Sequence, residues 1–329
     1  MKKFMNSTET MLRESLSGFA QCHRDIVELD PEFRFVGRKQ VKPGKVALVS
    51  GGGSGHEPLH TGFVGHGMLD AACPGQVFTS PTPDQIVAAT EAVDTGAGTL
   101  FIVKNYAGDI MNFALAAEMC GANADTLVVD DDVAVTKSSH GGGRRGVAGT
   151  LVVEKLVGAA AEAGADLGTL KRLGASVNAM TRSMGVALTS CTVPAVGRPT
   201  FDIAADEMEV GVGIHGEPGR RRVAIMRADE IAEELVHAIV QELDLRSHSE
   251  VLLLVNGLGA TPSLELHLMY DAASRQLAKR GLKARRSIVG NYVTSLDMAG
   301  CSITITVLDD ELTALWDAPV HTAALRWRI

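Results

Sequence analysis

Residues 51–60, GGGSGHEPLH, contain groups for three different kinds of chemistry. A run of glycines after an apolar segment is typical of a loop that binds phosphate through its backbone N–H groups. A serine between glycines suggests the sharp turn that presents a nucleophilic hydroxyl. His56, Glu57 and His60 match the H-E-x-x-H pattern of zinc proteases. The spacing of the neighbouring residues decides among these three interpretations.

The spacing argues against all three. No Gly-Lys-Ser/Thr follows the glycines, and a dinucleotide-type G-x-G-x-x-G fails at its last position, which is His56. The serine turn also requires a glycine where His56 stands. Pro58 disfavours helical geometry at Glu57, so His56 and His60 cannot lie on one helical turn, and we expect no metal here. Pro58 is instead predicted to be the first residue of a helix that includes His60.

Two interpretations of the glycines remain: a cradle for a ligand with His56 at its end, or a tight turn in which His56 caps the next helix. The segment KNYAGD places Lys104 and Asp109 at a second strand end, although Asp109 could serve simply as a helix N-cap. The segment GVGIHGEPG repeats the pattern of glycines, a histidine (His215) and Glu-Pro. Because ligands bind at the carboxyl ends of strands in α/β sheets, three such clusters favour a ligand site.

Short apolar runs alternate with amphipathic helical patterns along the chain, which predicts an α/β fold. The predicted strands are 45–50, 99–104, 126–130, 186–193, 209–214, 250–256, 286–291 and 302–308. The predicted helices are 83–95, 109–120, 146–164, 228–243 and 263–280. Two prolines interrupt the pattern in TVPAVGRP. We therefore predict two α/β domains, each a sheet covered by helices: residues 1–185 with the glycine-rich segment, and residues 186–329 with His215.

The composition restricts the possible partners and location. A formal charge of -8 over 329 residues argues against nucleic acid as a ligand, since phosphate contacts need clustered Lys and Arg. The five cysteines include no C-x-x-C pair and are predicted to be reduced core thiols. The N-terminal segment lacks the apolar part of a secretory signal, and no apolar run is long enough to span a membrane. We expect a cytoplasmic protein that does not bind membranes.

The motifs GGGSGHEP, KNYAGD and GIHGEPG, in this order, closely resemble the dihydroxyacetone kinase family, specifically its substrate-binding K subunit or domain. The segments PGQVFTSP and DEME add to the resemblance, which extends over nearly the whole chain. The resemblance implies an enzyme that transfers a phosphoryl group to dihydroxyacetone. It also implies two α/β domains and a homodimer.

The resemblance further implies roles for individual residues. His215 would add to the ketone carbonyl and form a covalent hemiaminal, which glycerol cannot form because it has no carbonyl group. A neutral imidazole is a usable nucleophile near pH 7, since its unperturbed pKa is about 6.5. His56 and Asp109 would do acid–base work at the substrate hydroxyls, with Asp109 accepting the proton of the reacting hydroxyl. The other implied substrate contacts are Gly53, Ser54, Gly55 and Lys104.

The resemblance also implies which partners and cofactors the chain uses. ATP-dependent members carry a helical nucleotide-binding domain downstream, whereas this sequence stops at Ile329, so we expect no cofactor in this chain. In the phosphotransferase-system type, a helical L subunit holds ADP with Mg, and a phosphohistidine M subunit fed from phosphoenolpyruvate recharges it. The chain alone would bind substrate without phosphorylating it. Two alternatives stay open: a non-catalytic, ketone-sensing coregulator, which intact His56 and Asp109 disfavour, and a kinase subunit for another short ketose such as erythrulose.

Overall fold

The computed structural model describes residues 2–135, 142–243, 245 and 249–328. The chain divides into two compact units, and neither is a single stretch of sequence. Unit 1 consists of Met1–Val129, Val153–Ser176 and Ala314–Ile329, and unit 2 of Asp130–Val152 and Val177–Thr313. The predicted division between residues 185 and 186 falls inside unit 2.

Strands and helices alternate along much of the chain, as predicted for an α/β fold. The strands are β1 (Val27–Leu29), β2 (Val36–Arg38), β3 (Ala47–Ser54), β4 (Gly65–His66), β5 (Ala71–Val77), β6 (Thr99–Lys104), β7 (Ala124–Val129), β8 (Thr181–Ala187), β9 (Glu207–Val210), β10 (Arg221–Ala224), β11 (Glu250–Gly257), β12 (Lys283–Gly290), β13 (Gly300–Leu308), β14 (Val320–Thr322) and β15 (Arg326–Trp327). The α-helices are α1 (Met11–Cys22), α2 (Pro83–Val93), α3 (Ala107–Cys120), α4 (Gly149–Glu162), α5 (Leu167–Ala179), α6 (Ala228–Gln241), α7 (Ser263–Lys279) and α8 (Asp310–Asp317). Short 3-10 helices span Thr61–Phe63 and Gly121–Asn123.

Unit 1 is built on a six-stranded sheet with the order β1-β2-β5-β3-β6-β7. Strands β5, β3, β6 and β7 run parallel to their neighbours in this series, whereas β2 is antiparallel to both β1 and β5. Strand β6, TLFIVK, is buried along its whole length, as expected of a central strand covered on both faces. The parallel pairing brings the carboxyl ends of β3 and β6 to the same edge of the sheet, so Ser54 and Lys104 lie at that edge.

Helices α2 and α3 cover one face of this sheet. Ile86 of α2 and Phe113 of α3 share a hydrophobic core with Phe101 and Val103 of β6. The start of α2 follows from its sequence, because Pro83 is the first helical residue and the preceding threonine forms a capping box with a glutamine three residues later. This packing holds the start of α3 beside the carboxyl end of β6.

Unit 2 contains a second six-stranded sheet, with the order β10-β9-β8-β13-β11-β12. Only β11 and β12 are a parallel pair; the other pairs are antiparallel. Helices α6 and α7 pack on it, with Leu235 and Leu266 in one core with Leu253 and Ile305 of the sheet. Each unit is thus a sheet with helices packed on it, which confirms the predicted fold class.

Two predicted strands are displaced in the structure. Strand β8 was expected at 186–193 but ends at Ala187, and its first half is polar. The hydroxyl of Ser183 donates to Asp131 Oδ2 at 2.5 Å and lies 2.7 Å from Thr304 Oγ1, so this strand is buried without an apolar pattern. Strand β9 ends at Val210 rather than at residue 214, because the next residue, Gly211, has a φ of 85° and begins a turn.

Several elements have no counterpart in the predictions. These are α1, α5, α8, β1, β2, β4, β5, β10, β14 and β15. Most of the missed strands have only two to four residues, too few for an alternating pattern to be recognised. Strand β5 is longer, but it contains Pro74 and Gly75, which are normally taken as evidence against a strand.

The cysteines agree with the prediction in part. All five are free thiols, and Cys73, Cys191 and Cys301 are buried as expected. Cys120 is half-buried, and Cys22 is exposed, so Cys22 is not a core thiol. In the described part of the chain, no helix combines the length and apolarity that crossing a membrane requires.

Candidate functional site

The glycines at positions 51 to 53 continue strand β3 instead of forming the loop predicted after residue 50. They are needed because other groups of unit 1 approach the strand closely. A Cβ atom on Gly52 would lie 2.3 Å from Lys104 Nζ, and one on Gly53 would lie 2.5 Å from the backbone nitrogen of Thr79. Only Gly55 of this segment has a positive φ, of 106°. The glycines therefore pack the chain against itself, and their role toward a ligand stays a prediction.

The next two residues, Ser54 and Gly55, also form hydrogen bonds within unit 1. The hydroxyl of Ser54 donates to the carbonyl oxygen of Gly75 at 2.7 Å. The backbone N–H of Gly55 lies 3.0 Å from both carboxylate oxygens of Glu57. The first bond holds the end of β3 against β5, and the second fixes the backbone just after β3.

Pro58 does not begin a helix, contrary to the prediction. Residues 57–60 form a turn, and the following helical element is the 3-10 helix Thr61–Phe63. His56 lies in the loop, as predicted, and its side chain is buried. Its ring stacks on Phe78, with ring centroids 5.0 Å apart and an angle of 12° between the planes. His56 and His60 therefore do not share the helical face that the zinc motif needs, and the described residues contain no cluster of three or more potential metal ligands.

Lys104 and Asp109 come together at the carboxyl end of β6. Lys104, the last residue of the strand, is only 1% exposed, and its Nζ atom lies 3.2 Å from the carbonyl oxygen of Gly51 and 3.6 Å from Asp109 Oδ2. Asp109 is buried in the first turn of α3, where the helix dipole favours a carboxylate. Tyr106, not Asp109, is the N-cap residue. The hydroxyl of Ser80 donates to Asp109 Oδ1.

His60, expected to be an ordinary helix residue, is part of this cluster. Its Nε2 atom lies 2.8 Å from Lys104 Nζ, and its Nδ1 atom lies 2.6 Å from Glu154 Oε1 and 3.0 Å from Ser50 Oγ. Burial, with the nearby Lys104 and His56, lowers the pKa of His60 well below its usual value near 6.5. The ring is therefore neutral near pH 7.

Glu154 of helix α4 is a site residue that the sequence did not reveal. It is fully buried, and burial raises the pKa of its carboxyl to about 8, against the opposing effect of Lys104. It lies 94 residues after His60 in the chain, and only packing places the two side chains in contact. No local motif marks it, because a glutamate in the middle of a helical pattern is normally exposed to solvent.

In unit 2, the GVGIHGEPG segment brings His215 and Glu217 together. The Nδ1 atom of His215 lies 2.9 Å from Glu217 Oε1, and its backbone N–H donates to Glu217 Oε2 at 2.9 Å. Desolvation alone would raise the pKa of Glu217, but the interaction with His215 and the charge of Arg145 lower it to about 2. The glutamate is thus ionised at any physiological pH. In both GGGSGHEP and GIHGEPG a Glu-Pro pair comes shortly after the histidine, and this repetition could have identified Glu217 from the sequence.

Arg145 completes this second cluster. It donates to Asp132 Oδ2 at 2.8 Å and to the carbonyl oxygen of Gly211 at 2.7 Å. Burial raises the pKa of Asp132 to about 6, although the positive charge of Arg145 opposes this. A Cβ atom on Gly213 would lie 2.0 Å from Glu217 Oε2 and 2.6 Å from Arg145 Nη1. Glycine at this position thus allows the carboxylate and guanidinium to approach the turn.

Buried acid–base groups at the carboxyl ends of parallel strands are typical of an α/β enzyme that acts on a small polar molecule. Residues 17–324 match the Dak1 domain model, and the chain belongs to this family. The dihydroxyacetone kinase resemblance inferred from the three motifs is thereby confirmed.

Two relatives show how far the similarity extends. The chain is 50% identical to the dihydroxyacetone-binding subunit DhaK of PTS-dependent dihydroxyacetone kinase 1 from Listeria innocua, over 98% of this chain and 100% of the relative. It is 46% identical to the dihydroxyacetone-binding subunit DhaK of the PEP-dependent dihydroxyacetone kinase of Escherichia coli, over 99% of each chain. The match covers both units of the fold.

Similar proteins with other named functions also exist. The solved structure of the dihydroxyacetone kinase operon co-activator DhaQ superimposes with a TM-score of 0.90 at 34% identity, covering 94% of this chain and 97% of that chain. The D-erythrulose kinase of Mycolicibacterium smegmatis is 39% identical over 99% of this chain, which spans 57% of that protein. Proteins of this fold therefore include an operon co-activator and an erythrulose kinase as well as dihydroxyacetone kinase subunits.

Proposed function

We propose that this chain is the dihydroxyacetone-binding subunit of a phosphoenolpyruvate-dependent dihydroxyacetone kinase. It binds the ketone covalently on His215 and presents a terminal hydroxyl for phosphorylation to dihydroxyacetone phosphate. Two relatives that match nearly the whole chain carry this subunit's name. The observation that carries the proposal in the structure is the hydrogen bond between the ring of His215 and the ionised Glu217.

This bond prepares His215 for addition to a carbonyl. A neutral ring that donates Nδ1–H to a carboxylate has its lone pair on Nε2. Nε2 adds to the carbonyl carbon, and the π electrons move to the oxygen, which takes a proton from solvent to give the hemiaminal hydroxyl. The ring keeps its Nδ1 proton and is left with a positive charge. The ring gains positive charge during the addition, and the carboxylate of Glu217 stabilises it. Glycerol has no carbonyl and is excluded from this step.

In unit 1, Asp109 is the proposed base for the reacting hydroxyl. Ser80 occupies Oδ1 of its carboxylate, whereas Oδ2 is 3.6 Å from Lys104 Nζ, beyond an ordinary hydrogen bond. Oδ2 would accept the substrate proton as the hydroxyl oxygen attacks phosphorus, while the bond from phosphorus to the partner's donor nucleotide breaks and leaves ADP. His56, fixed by stacking on Phe78, bonds the substrate and shares the acid–base role. The remaining substrate contacts in the proposal are Gly53, Ser54, Gly55 and Lys104.

The phosphoryl donor belongs to a partner in this proposal. A helical L subunit would hold ADP with Mg, and a phosphohistidine M subunit would recharge that nucleotide from phosphoenolpyruvate. The chain itself would form a homodimer and act in the cytoplasm. The names of two relatives, which are subunits of PTS-dependent and PEP-dependent kinases, support the partner scheme.

The proposal is tested in two stages. Incubation with dihydroxyacetone and chemical trapping should add one ketone mass per chain, and His215→Ala should abolish the adduct. Reconstitution with the two partner subunits and phosphoenolpyruvate should then give turnover, with dihydroxyacetone and erythrulose compared as acceptors. An adduct without turnover would favour a ketone-sensing coregulator, as the similarity to DhaQ allows. Preference for erythrulose would change the substrate, and turnover by this chain alone with ATP would contradict the partner scheme.

A further inference from the structure

Three buried side chains of unit 1 form a continuous hydrogen-bonded series that ends beside Asp109. The series, called here the buried triad, consists of Glu154, His60 and Lys104. Their relative exposures are 0%, 5% and 1%, so solvent cannot substitute for any of the bonds between them. The roles proposed above use Lys104 and Asp109 and leave Glu154 and His60 without a function.

Donor and acceptor chemistry gives the series a single direction. A lysine ammonium has three N–H donors and no acceptor, so the His60 Nε2 atom 2.8 Å away accepts. The ring proton of neutral His60 then resides on Nδ1 and is donated to Glu154 Oε1 at 2.6 Å. A protonated carboxyl group still has an accepting oxygen, so this bond is available in either charge state of Glu154. Ser50 supports the arrangement, because its hydroxyl donates to Ile102 O at 2.6 Å and its oxygen faces Nδ1.

The triad determines where the Lys104 ammonium lies relative to Asp109. Its Nζ atom has acceptors at 2.8 Å (His60) and 3.2 Å (Gly51 O), but Asp109 Oδ2 is 3.6 Å away. Lysine is a flexible side chain, and a buried ammonium without the His60 acceptor would move toward the carboxylate. A direct bond from Lys104 would then occupy the oxygen that has to accept the substrate proton.

We propose that Glu154 and His60 are positioning residues for phosphoryl transfer. Glu154 holds the His60 ring with its proton on Nδ1, and His60 in turn holds the Lys104 ammonium close to Asp109 without a direct hydrogen bond to Oδ2. Oδ2 is thereby left to the substrate hydroxyl, while the ammonium stays 3.6 Å from it. This inference rests on the proposed function for the role of Asp109, but the geometry of the triad can be tested without turnover.

The variants His60→Leu and His60→Gln separate positioning from packing. Leucine fills the site without an acceptor, whereas the side-chain oxygen of glutamine can replace Nε2 as the acceptor for Lys104. We expect His60→Leu to lower kcat in the reconstituted system about 10- to 100-fold, as a misplaced catalytic group does, and to change KM less than kcat. His60→Gln should recover much of this loss. Adduct formation on His215 should be unchanged in both variants.

Glu162→Gln is the matched control, because Glu162 is another carboxylate of α4 but is paired with Arg38. It should lower stability without lowering kcat. Circular dichroism and thermal unfolding establish that each variant is folded. A folded His60→Leu variant with wild-type kcat would overturn the positioning role, as would an equal loss in His60→Leu and His60→Gln.

Nitrogen NMR of the histidine-labelled chain tests the triad independently of activity. The expected result is a neutral His60 with its proton on Nδ1 from pH 6 to 8, and a changed Nδ1 resonance in Glu154→Leu. A proton on Nε2 in the wild-type chain would contradict the proposed direction of the series. If the wild-type chain forms no adduct and gives no turnover, the proposed function fails, whereas the NMR result still decides whether Glu154 and His60 hold Lys104 as described.

Discussion

The imidazole of His60 accepts a hydrogen bond of 2.8 Å from the ammonium of Lys104 in the interior of unit 1. This bond links a histidine after strand β3 to a lysine at the end of strand β6. His60 is the second histidine of GGGSGHEPLH. It was expected to be an ordinary helix residue, but it contacts a predicted site residue of strand β6. The first histidine, His56, retains the acid–base role proposed for it.

Replacing Asp109 should separate substrate capture from phosphoryl transfer. Asp109→Asn removes the proposed base but leaves His215 intact, so the covalent adduct should form normally. Turnover in the reconstituted system should fall about 10²- to 10⁴-fold, the usual contribution of a general base. The control is Asp84→Asn, which changes an exposed acid in the first turn of α2. Wild-type turnover in Asp109→Asn would exclude Asp109 as the base.

Glu217 should control formation of the adduct. In Glu217→Gln the amide oxygen can still accept from Nδ1, but the negative charge that stabilises the ring during addition is lost. We expect the equilibrium constant for the trapped adduct to fall roughly tenfold, equivalent to about 1.4 kcal/mol. Titration with dihydroxyacetone followed by mass spectrometry measures it, with Glu233→Gln on the exposed face of α6 as the control. An unchanged constant would mean that hydrogen bonding alone, without charge, prepares His215.

The buried carboxyl of Glu154 should make stability depend on pH. Its pKa is raised from 4.5 to about 8 by burial, so the folded chain binds one more proton than the unfolded chain between these values. Its contribution to stability is therefore complete below pH 4.5 and is lost as the pH rises to 8. Glu154→Gln cannot titrate and should become more stable relative to wild type by up to about 4 kcal/mol between pH 5 and 8.5.

Urea unfolding of the wild-type chain and Glu154→Gln at several pH values measures this difference. The control is Glu162→Gln, because interaction with Arg38 lowers the pKa of Glu162 even though burial would raise it. That substitution should therefore not reproduce the gain at high pH. If the stability difference between Glu154→Gln and wild type does not vary with pH, Glu154 is ionised in the folded chain throughout this range.

Gly52→Ala should impair activity more than folding. The added Cβ atom would lie 2.3 Å from Lys104 Nζ, the mobile end of a flexible side chain, so the fold can adjust by moving that group. We expect a stability loss of about 1–3 kcal/mol, typical of overpacking, together with a large loss of kcat because Lys104 leaves His60 and Asp109. Gly18→Ala in α1 is the control, since its Cβ atom meets nothing within 4 Å. Retention of kcat in folded Gly52→Ala would show that the position of Lys104 is not critical.

Local sequence was sufficient for several of the long elements, though not for α1 and α5, and it singled out some residues of the candidate site. Strand β6 was predicted with its observed ends, because TLFIVK is a continuous apolar run bounded by glycine and polar residues. Lys104 and Asp109 were singled out from the strand end that carries them, and both are buried in one cluster. His215 was singled out by its glycine neighbours, and the family resemblance assigned its role.

Other features could not be derived from local pattern. Strand β8 was misplaced because its buried serine and threonine neighbours satisfy one another across strands, and such pairing leaves no apolar periodicity. The turn at Pro58 was mistaken for a helix start, since proline suits both. Each unit is also built from separate stretches of the chain, so no single boundary in the sequence can divide them.

The sequence by itself determined the α/β alternation, the family and some of the groups that could do chemistry, because these depend on residue type and near spacing. Glu154 and Glu217 were not among those groups. Only the tertiary structure decided which of these groups act together. Glu154 and His60 are 94 residues apart, and Glu217 joins Arg145 through packing within unit 2. Contacts of this kind depend on which strands are neighbours and on which atoms are removed from water, and neither property is recorded in any local stretch of sequence.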